Sequence, residues 1–80
     1  MRVEKGKLYW TNDRTIVKVI NIFDQPWGIH GKILSGKYAG LKDEWTDDVY
    51  PYRVSFDPDK DGLALTDEEV SKDEHPEYYL

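Results

Sequence analysis

The stretch Thr15-Ile-Val-Lys-Val-Ile-Asn-Ile-Phe23 is rich in β-branched residues and contains neither glycine nor proline, which is typical of a β-strand. Apolar residues occupy alternate positions on both sides of this strand, so we expect it to be a mostly buried central strand. The sequence Asp24-Gln25-Pro26 ends it.

Other segments carry similar but shorter strand signals. Residues 7–12 form an apolar and aromatic run that ends in a turn, and residues 29–34 form a plausible third strand. Trp45 is expected to be a buried or half-buried anchor before the next strand. The glycines between residues 28 and 40 favour tight corners and strand bends over helix.

The stretch Asp48-Val-Tyr-Pro-Tyr-Arg-Val-Ser-Phe-Asp-Pro58 predicts a fourth strand over residues 50–56. Pro51 fixes its own φ and favours an extended conformation for the preceding tyrosine. Tyr52, Val54 and Phe56 then alternate with polar residues at the strand period.

A helix signal comes late in the chain. The sequence Thr66-Asp-Glu-Glu69 fits a capping box, with acids in the first turn that favour the helix dipole. We therefore predict one short C-terminal helix that ends before Pro76.

Length and composition indicate one small domain over residues 1–80, whose core must come from aliphatic and aromatic side chains because cysteine is absent. The lack of cysteine favours a reducing compartment. The first seven residues are too polar for a signal-peptide core, and no apolar run is long enough to span a bilayer. We expect a cytoplasmic protein.

The net charge of −5 is unevenly distributed. Residues 1–40 carry seven basic and three acidic side chains, a balance of +4, whereas residues 41–80 carry four basic and thirteen acidic ones, a balance of −9. The first half can support phosphate contacts, and the second half would attract a basic protein surface.

Three segments appear in the order found in a known family: Gly6-Lys-Leu-Tyr-Trp10, the glycine-punctuated residues 31–40, and Tyr-Pro-Tyr-Arg-Val at residues 50–54. Over residues 6–58 the chain resembles EVE domains, which are PUA-like β-barrels that bind modified bases or RNA. The resemblance implies a PUA-like or SH3-like half-open barrel of about five strands. Together with the one short C-terminal helix predicted from the capping box, this gives a mainly β, small α+β fold.

A second resemblance overlaps the first. Residues 33–42, Ile-Leu-Ser-Gly-Lys-Tyr-Ala-Gly-Leu-Lys, are similar to the KOW motif of ribosomal and transcription-elongation proteins, in which glycines allow a tight turn beside RNA. Both resemblances imply a nucleic-acid or modified-nucleotide recognition module.

Aromatic side chains can stack on bases and nearby cations can hold phosphates. Most of the aromatic residues are expected to fill the core, but a few lie beside turn residues or charges. The predicted nucleic-acid-binding residues are Trp10, Trp27, Lys32, Lys37, Tyr38 and Arg53.

The alternative is an acidic inhibitor or adaptor of the kind encoded by phages and mobile elements, which would bind a basic protein surface and could mimic nucleic acid. Its predicted partner-binding residues are Asp43, Glu44, Asp47 and Asp48, which we expect to be exposed.

Catalytic and cofactor motifs are sparse. His30 and His75 lie far apart and outside any zinc pattern, and no nucleophile elbow or phosphate loop occurs. The sequence therefore favours a binding module that is not an enzyme and uses no cofactor.

One acidic segment satisfies the EF-hand spacing, with Asp57, Asp59 and Asp61 followed by Gly62 and by Glu68. A strand is predicted to enter this loop where an EF-hand has a helix, and a proline occupies the second loop position. We interpret the segment as a turn, assign no metal site, and expect calcium to bind no more tightly than at millimolar concentration.

Overall fold

The computed structural model describes residues 3–79, which form a five-stranded antiparallel sheet. The strands are β1 (Leu8–Thr11), β2 (Ile16–Ile22), β3 (Ile29–Ile33), β4 (Lys42–Trp45) and β5 (Leu65–Glu69). They lie in the order β4-β3-β2-β1-β5. The helical segments in residues 3–79 are two single 3₁₀ turns, Lys60–Leu63 and Pro76–Tyr79.

The first three predicted strands are confirmed. They correspond to β1, β2 and β3, and β2 pairs with a neighbour on each side. Trp45 is fully buried, as expected. One expectation for β2 is wrong, because Ile20 and Ile22 are 42% and 43% exposed, so this strand is not mostly buried.

The predicted strand over residues 50–56 is wrong, because the fourth strand is β4 at Lys42–Trp45. Only Pro51 makes a strand-like contact, as an isolated bridge to Trp45. Tyr52 N completes this bridge by donating to Glu44 O at 2.9 Å. After it the backbone-to-backbone bonds are local, from Ser55 N to Tyr52 O at 3.3 Å and from Asp57 N to Val54 O at 3.0 Å. These short-range bonds form turns, so the alternation of side chains did not reflect a strand.

The predicted C-terminal helix is also wrong, because Thr66 and Glu69 lie in β5. The Thr66 hydroxyl donates to the Trp10 carbonyl at 2.6 Å, and the β5 backbone pairs with β1. Pairing with an existing sheet therefore outweighs the local capping signal.

The predicted barrel is not closed, because β4 and β5 lie at opposite edges of the sheet. Residues 46–64 connect these edges across one face of the sheet, and we call this segment the crossing segment. The Trp45 indole Nε1 donates to the Leu63 carbonyl at 3.1 Å, and Leu65 N donates to Val49 O at 3.0 Å. These bonds hold both ends of the crossing segment against the sheet.

The main core lies between the sheet and the crossing segment. Gly31 lets Trp45 approach β3 closely, since a Cβ there would lie 3.2 Å from the indole Cζ3 and 2.9 Å from the Lys18 carbonyl oxygen. The buried residues of this core are Val3, Tyr9, Val17, Val19, Ile29, Ile33, Trp45 and Leu65.

The opposite face of the sheet is covered only over β1 and the start of β2. There Leu8, Ile16 and Val70 form a second buried cluster against which Tyr78 and Tyr79 pack. The Tyr79 hydroxyl donates to the Val70 carbonyl at 2.6 Å, so the C-terminal segment folds back onto the sheet. In the described part of the chain, the remainder of this face carries exposed or half-buried side chains.

Within the described part of the chain, no helix is long and apolar enough to cross a membrane. The cytoplasmic location stays a prediction.

Candidate nucleic-acid interface

The uncovered side of β2, β3 and β4 is the candidate site, and we call it the open face. Side chains alternate along a strand, so positions 29, 31 and 33 of β3 face the core, while His30 and Lys32 between them point outward. The same alternation applies to the neighbouring strands. The open face carries Lys18, Ile20, His30, Lys32, Lys42 and Glu44.

Three lysines lie side by side across the open face. The register pairs Lys18 with Lys32, and Lys32 with Lys42, on three adjacent strands. Adjacent strands lie about 4.8 Å apart, and like charges placed directly opposite each other destabilise a sheet. No carboxylate in residues 3–79 forms an ion pair with any of the three. This row of cations is therefore available to an anionic ligand.

Arg53 continues the row beyond the edge of the sheet. Its backbone N–H donates to Asp43 Oδ1 at 2.8 Å, which places it next to β4. Arg53 and Lys42 both line the same cavity. Lys18, Lys32, Lys42 and Arg53 together form what we call the cation row.

Apolar and aromatic side chains lie beside the cation row. Ile20 is exposed where a bulge interrupts the pairing of β2 with β3. The exposed ring of Phe23 meets the His30 ring edge-on, with centroids 4.9 Å apart. This is the kind of surface on which a base can stack.

A cavity of about 250 Å³ opens at the β4 end of the open face. Two buried polar atoms of its lining residues, His30 Nε2 and Asp43 Oδ2, have no hydrogen-bond partner within residues 3–79. Buried polar groups in proteins normally have partners, so both atoms mark an unusual site. The lining residues are Ile20, His30, Gly31, Lys42, Asp43, Glu44 and Arg53.

Of the six predicted nucleic-acid-binding residues, the structure brings Lys32 and Arg53 together in the cation row. The predicted stacking residues have partners within the protein. Trp27 packs on Tyr52 with centroids 4.9 Å apart. Trp10 lies over the second cluster, with the Arg14 guanidinium 4.3 Å from its ring centroid.

Lys37 and Tyr38 are held by a buried carboxylate rather than free for a ligand. Lys37 Nζ lies 2.8 Å from Asp57 Oδ2, and the Tyr38 hydroxyl donates to the same oxygen. Asp59 N donates to Asp57 Oδ1 at 2.7 Å. The Lys37 and Tyr38 hydrogen bonds, followed by the Asp59 bond, lower the pKa of Asp57 from 3.8 to about 2. Asp57 thus ties the β3–β4 loop to the crossing segment.

This carboxylate predicts a pH dependence of stability. The folded-state pKa is depressed, so the stabilisation is present above about pH 3.8 and is lost as the pH falls through about 2. We expect the melting temperature of the wild type to fall more steeply over this range than that of Asp57→Asn, which has no charge to lose. If the melting temperatures of the two proteins fell by the same amount between pH 6 and pH 2, the stabilising role of the Asp57 carboxylate would be contradicted.

The four predicted acidic partner residues do not form one exposed surface. Asp43 is only 2% exposed, and its Oδ1 accepts hydrogen bonds from the backbone of Glu44 and Arg53, so the expectation that it is exposed is wrong. Glu44 is half-buried on the open face. Only Asp47 and Asp48 are exposed, in the turn after β4.

The acids with EF-hand spacing are directed to different partners. Asp57 contacts Lys37 and Tyr38, while Glu68 pairs with Arg14. Within residues 3–79 no three acidic or histidine side chains converge in a way that could hold a metal ion. The calcium affinity of this segment stays a prediction.

No protein-family model, curated protein or solved structure matches this chain in comparisons with known proteins.

Sequence reasoning missed most of the open face. Lys18 and Lys42 were not selected, and neither were Phe23 and His30. The period-two positions of Lys18 and Lys32 in their strands were a usable signal, because each lies between residues that face the core. Lys42 could not be found in this way, since β4 itself was not predicted.

Proposed function

We propose that this protein is a non-enzymatic module that binds single-stranded nucleic acid across its open face. The observation that carries this proposal is the register that aligns, on adjacent strands, three lysines without an ion pair among the described residues. Phosphates contact the cation row, and bases lie over Ile20, Phe23 and His30.

The choice of a single strand over a duplex follows from the apolar part of the surface. Bases of a single strand can stack on exposed rings, whereas those of a duplex are already stacked on one another. The nucleic-acid chain crosses β2, β3 and β4, because the cation row runs perpendicular to these β-strands.

Charge sets the expected binding regime. The net charge of −5 opposes long-range attraction of nucleic acid, so binding depends on local contacts with the cation row. With about four phosphates neutralised, the logarithm of the association constant should fall with the logarithm of salt concentration with a slope of roughly −3.

The resemblance to EVE and other PUA-like domains supports the same class of ligand, including modified nucleotides. We therefore include modified bases among the ligands to be tested. The open sheet differs from the barrel that the resemblance implies, so the proposal rests on the cation row.

The central test is charge reversal in the cation row. We expect Lys32→Glu to weaken binding of a fluorescent eight-nucleotide single strand by at least about tenfold at low salt. The substitution removes a cation from the middle of the lysine row and puts there a negative charge that repels phosphate. Fluorescence anisotropy measures the effect. Lys60→Glu is the matched control, since Lys60 is exposed in a 3₁₀ turn and should change affinity far less.

The salt slope provides a second readout of the same variant. It should become shallower in Lys32→Glu and stay near the wild-type value in Lys60→Glu. Equal losses in the two variants would show that only net charge matters and would contradict the proposed site. No binding by the wild type across a panel of DNA and RNA would favour the acidic partner-binding alternative.

A further inference from the structure

Glu44 is an anionic side chain in a mainly cationic part of the open face. It lies opposite His30 in the register and lines the cavity together with Lys42 and Arg53. It is half-buried, and no ion pair links it to either cation within residues 3–79. Its carboxylate is therefore left as an acceptor next to the cation row.

A carboxylate in this position selects a particular kind of group. It accepts hydrogen bonds only and repels phosphate, so the ligand must present N–H donors to it. In a nucleic-acid strand such donors are the base amino groups, and acidic side chains accept from the cytosine N4 amino group in known recognition. Uracil presents a carbonyl oxygen at the corresponding position, which Glu44 would repel.

The small volume of the cavity is the reason to consider a single base as its occupant. Its volume of about 250 Å³ is below the roughly 300–1,000 Å³ typical of pockets for drug-sized ligands. Ile20 and His30 give the cavity an apolar and an aromatic lining residue. Lys42, at the end of the lysine row, lines the same cavity. A base can thus occupy the cavity while its phosphates stay on the lysines.

We propose that this cavity holds one base with an exocyclic amino group, cytosine or adenine, and that Glu44 accepts the amino N–H. This inference rests on the proposed function and adds base preference to it.

The test compares two oligomers, one whose bases carry an exocyclic amino group and one whose bases carry a carbonyl oxygen in its place. Fluorescently labelled (dC)₈ and (dU)₈ are titrated at low salt with wild type, Glu44→Gln and Glu74→Gln. We expect the wild type to bind (dC)₈ roughly tenfold more tightly than (dU)₈. In Glu44→Gln the ratio should fall close to one, because an amide can also donate to the uracil carbonyl.

The ratio of the two affinities separates base recognition from simple electrostatics. Removing a negative charge at Glu44 should strengthen binding of both oligomers, but only loss of recognition changes their ratio. Glu74→Gln is the matched control, because Glu74 is exposed in a turn outside the sheet and has the same charge change. Its ratio should equal that of the wild type.

Each other outcome contradicts a defined part of the reasoning. Equal, salt-dependent binding of both oligomers by the wild type would overturn the base preference and leave the proposed function standing. A wild-type ratio that persists in Glu44→Gln would assign the preference to other residues. No binding of either oligomer at low salt would overturn the proposed function and this inference together.

Discussion

Replacing Trp45 with alanine should lower the free energy of unfolding by about 3–5 kcal/mol. The indole is fully buried, joins the main core and donates to the Leu63 carbonyl at 3.1 Å. The substitution removes the largest buried side chain of the core and leaves that carbonyl without its partner. Small domains are stable by only about 5–15 kcal/mol, so the variant should be close to unfolding at room temperature.

Urea denaturation followed by circular dichroism measures this loss. Trp45→Phe is the informative control, since it retains much of the buried volume but cannot donate a hydrogen bond. We expect it to lose clearly less stability than the alanine variant. A free energy of unfolding near that of the wild type for Trp45→Ala would contradict the core as described.

The second large effect is expected from Val54→Asp. Val54 is 1% exposed within the crossing segment, so the new carboxylate would be buried without a partner, at a cost of several kcal/mol. Tyr52→Ala, two residues earlier, should cost much less, because the Tyr52 side chain is 52% exposed.

Thermal melting of the two variants side by side distinguishes the observed turn from a strand. A strand with a buried face would bury both side chains, so both substitutions would be severe. Comparable large losses in Tyr52→Ala and Val54→Asp would therefore contradict the conformation of the crossing segment.

The parts of the fold that sequence predicted are those stabilised by local patterns. Strands β1, β2 and β3 carry β-branched or apolar runs bounded by turns. In contrast, the capping-box residues of β5 pair with β1, which lies near the other end of the chain. Such distant pairing overrides propensity and leaves no mark on the local sequence.

The candidate site was only partly predictable for a similar reason. Lys32 and Arg53 could be selected from their charge and neighbours, but a row of lysines exists only once three strands have a defined register. Asp43 shows the converse difficulty. Nothing in its acidic neighbourhood indicated that its carboxylate would be buried as an acceptor for backbone N–H groups.

The strand order has a consequence for how the chain folds. Strands β1 to β4 pair with their neighbours in sequence, so they can assemble as a meander by closing short loops. Strand β5 must instead return to β1 after the crossing segment has been ordered, which requires a large loss of chain entropy. The meander should therefore form early, and docking of β5 with the C-terminal segment should limit the folding rate.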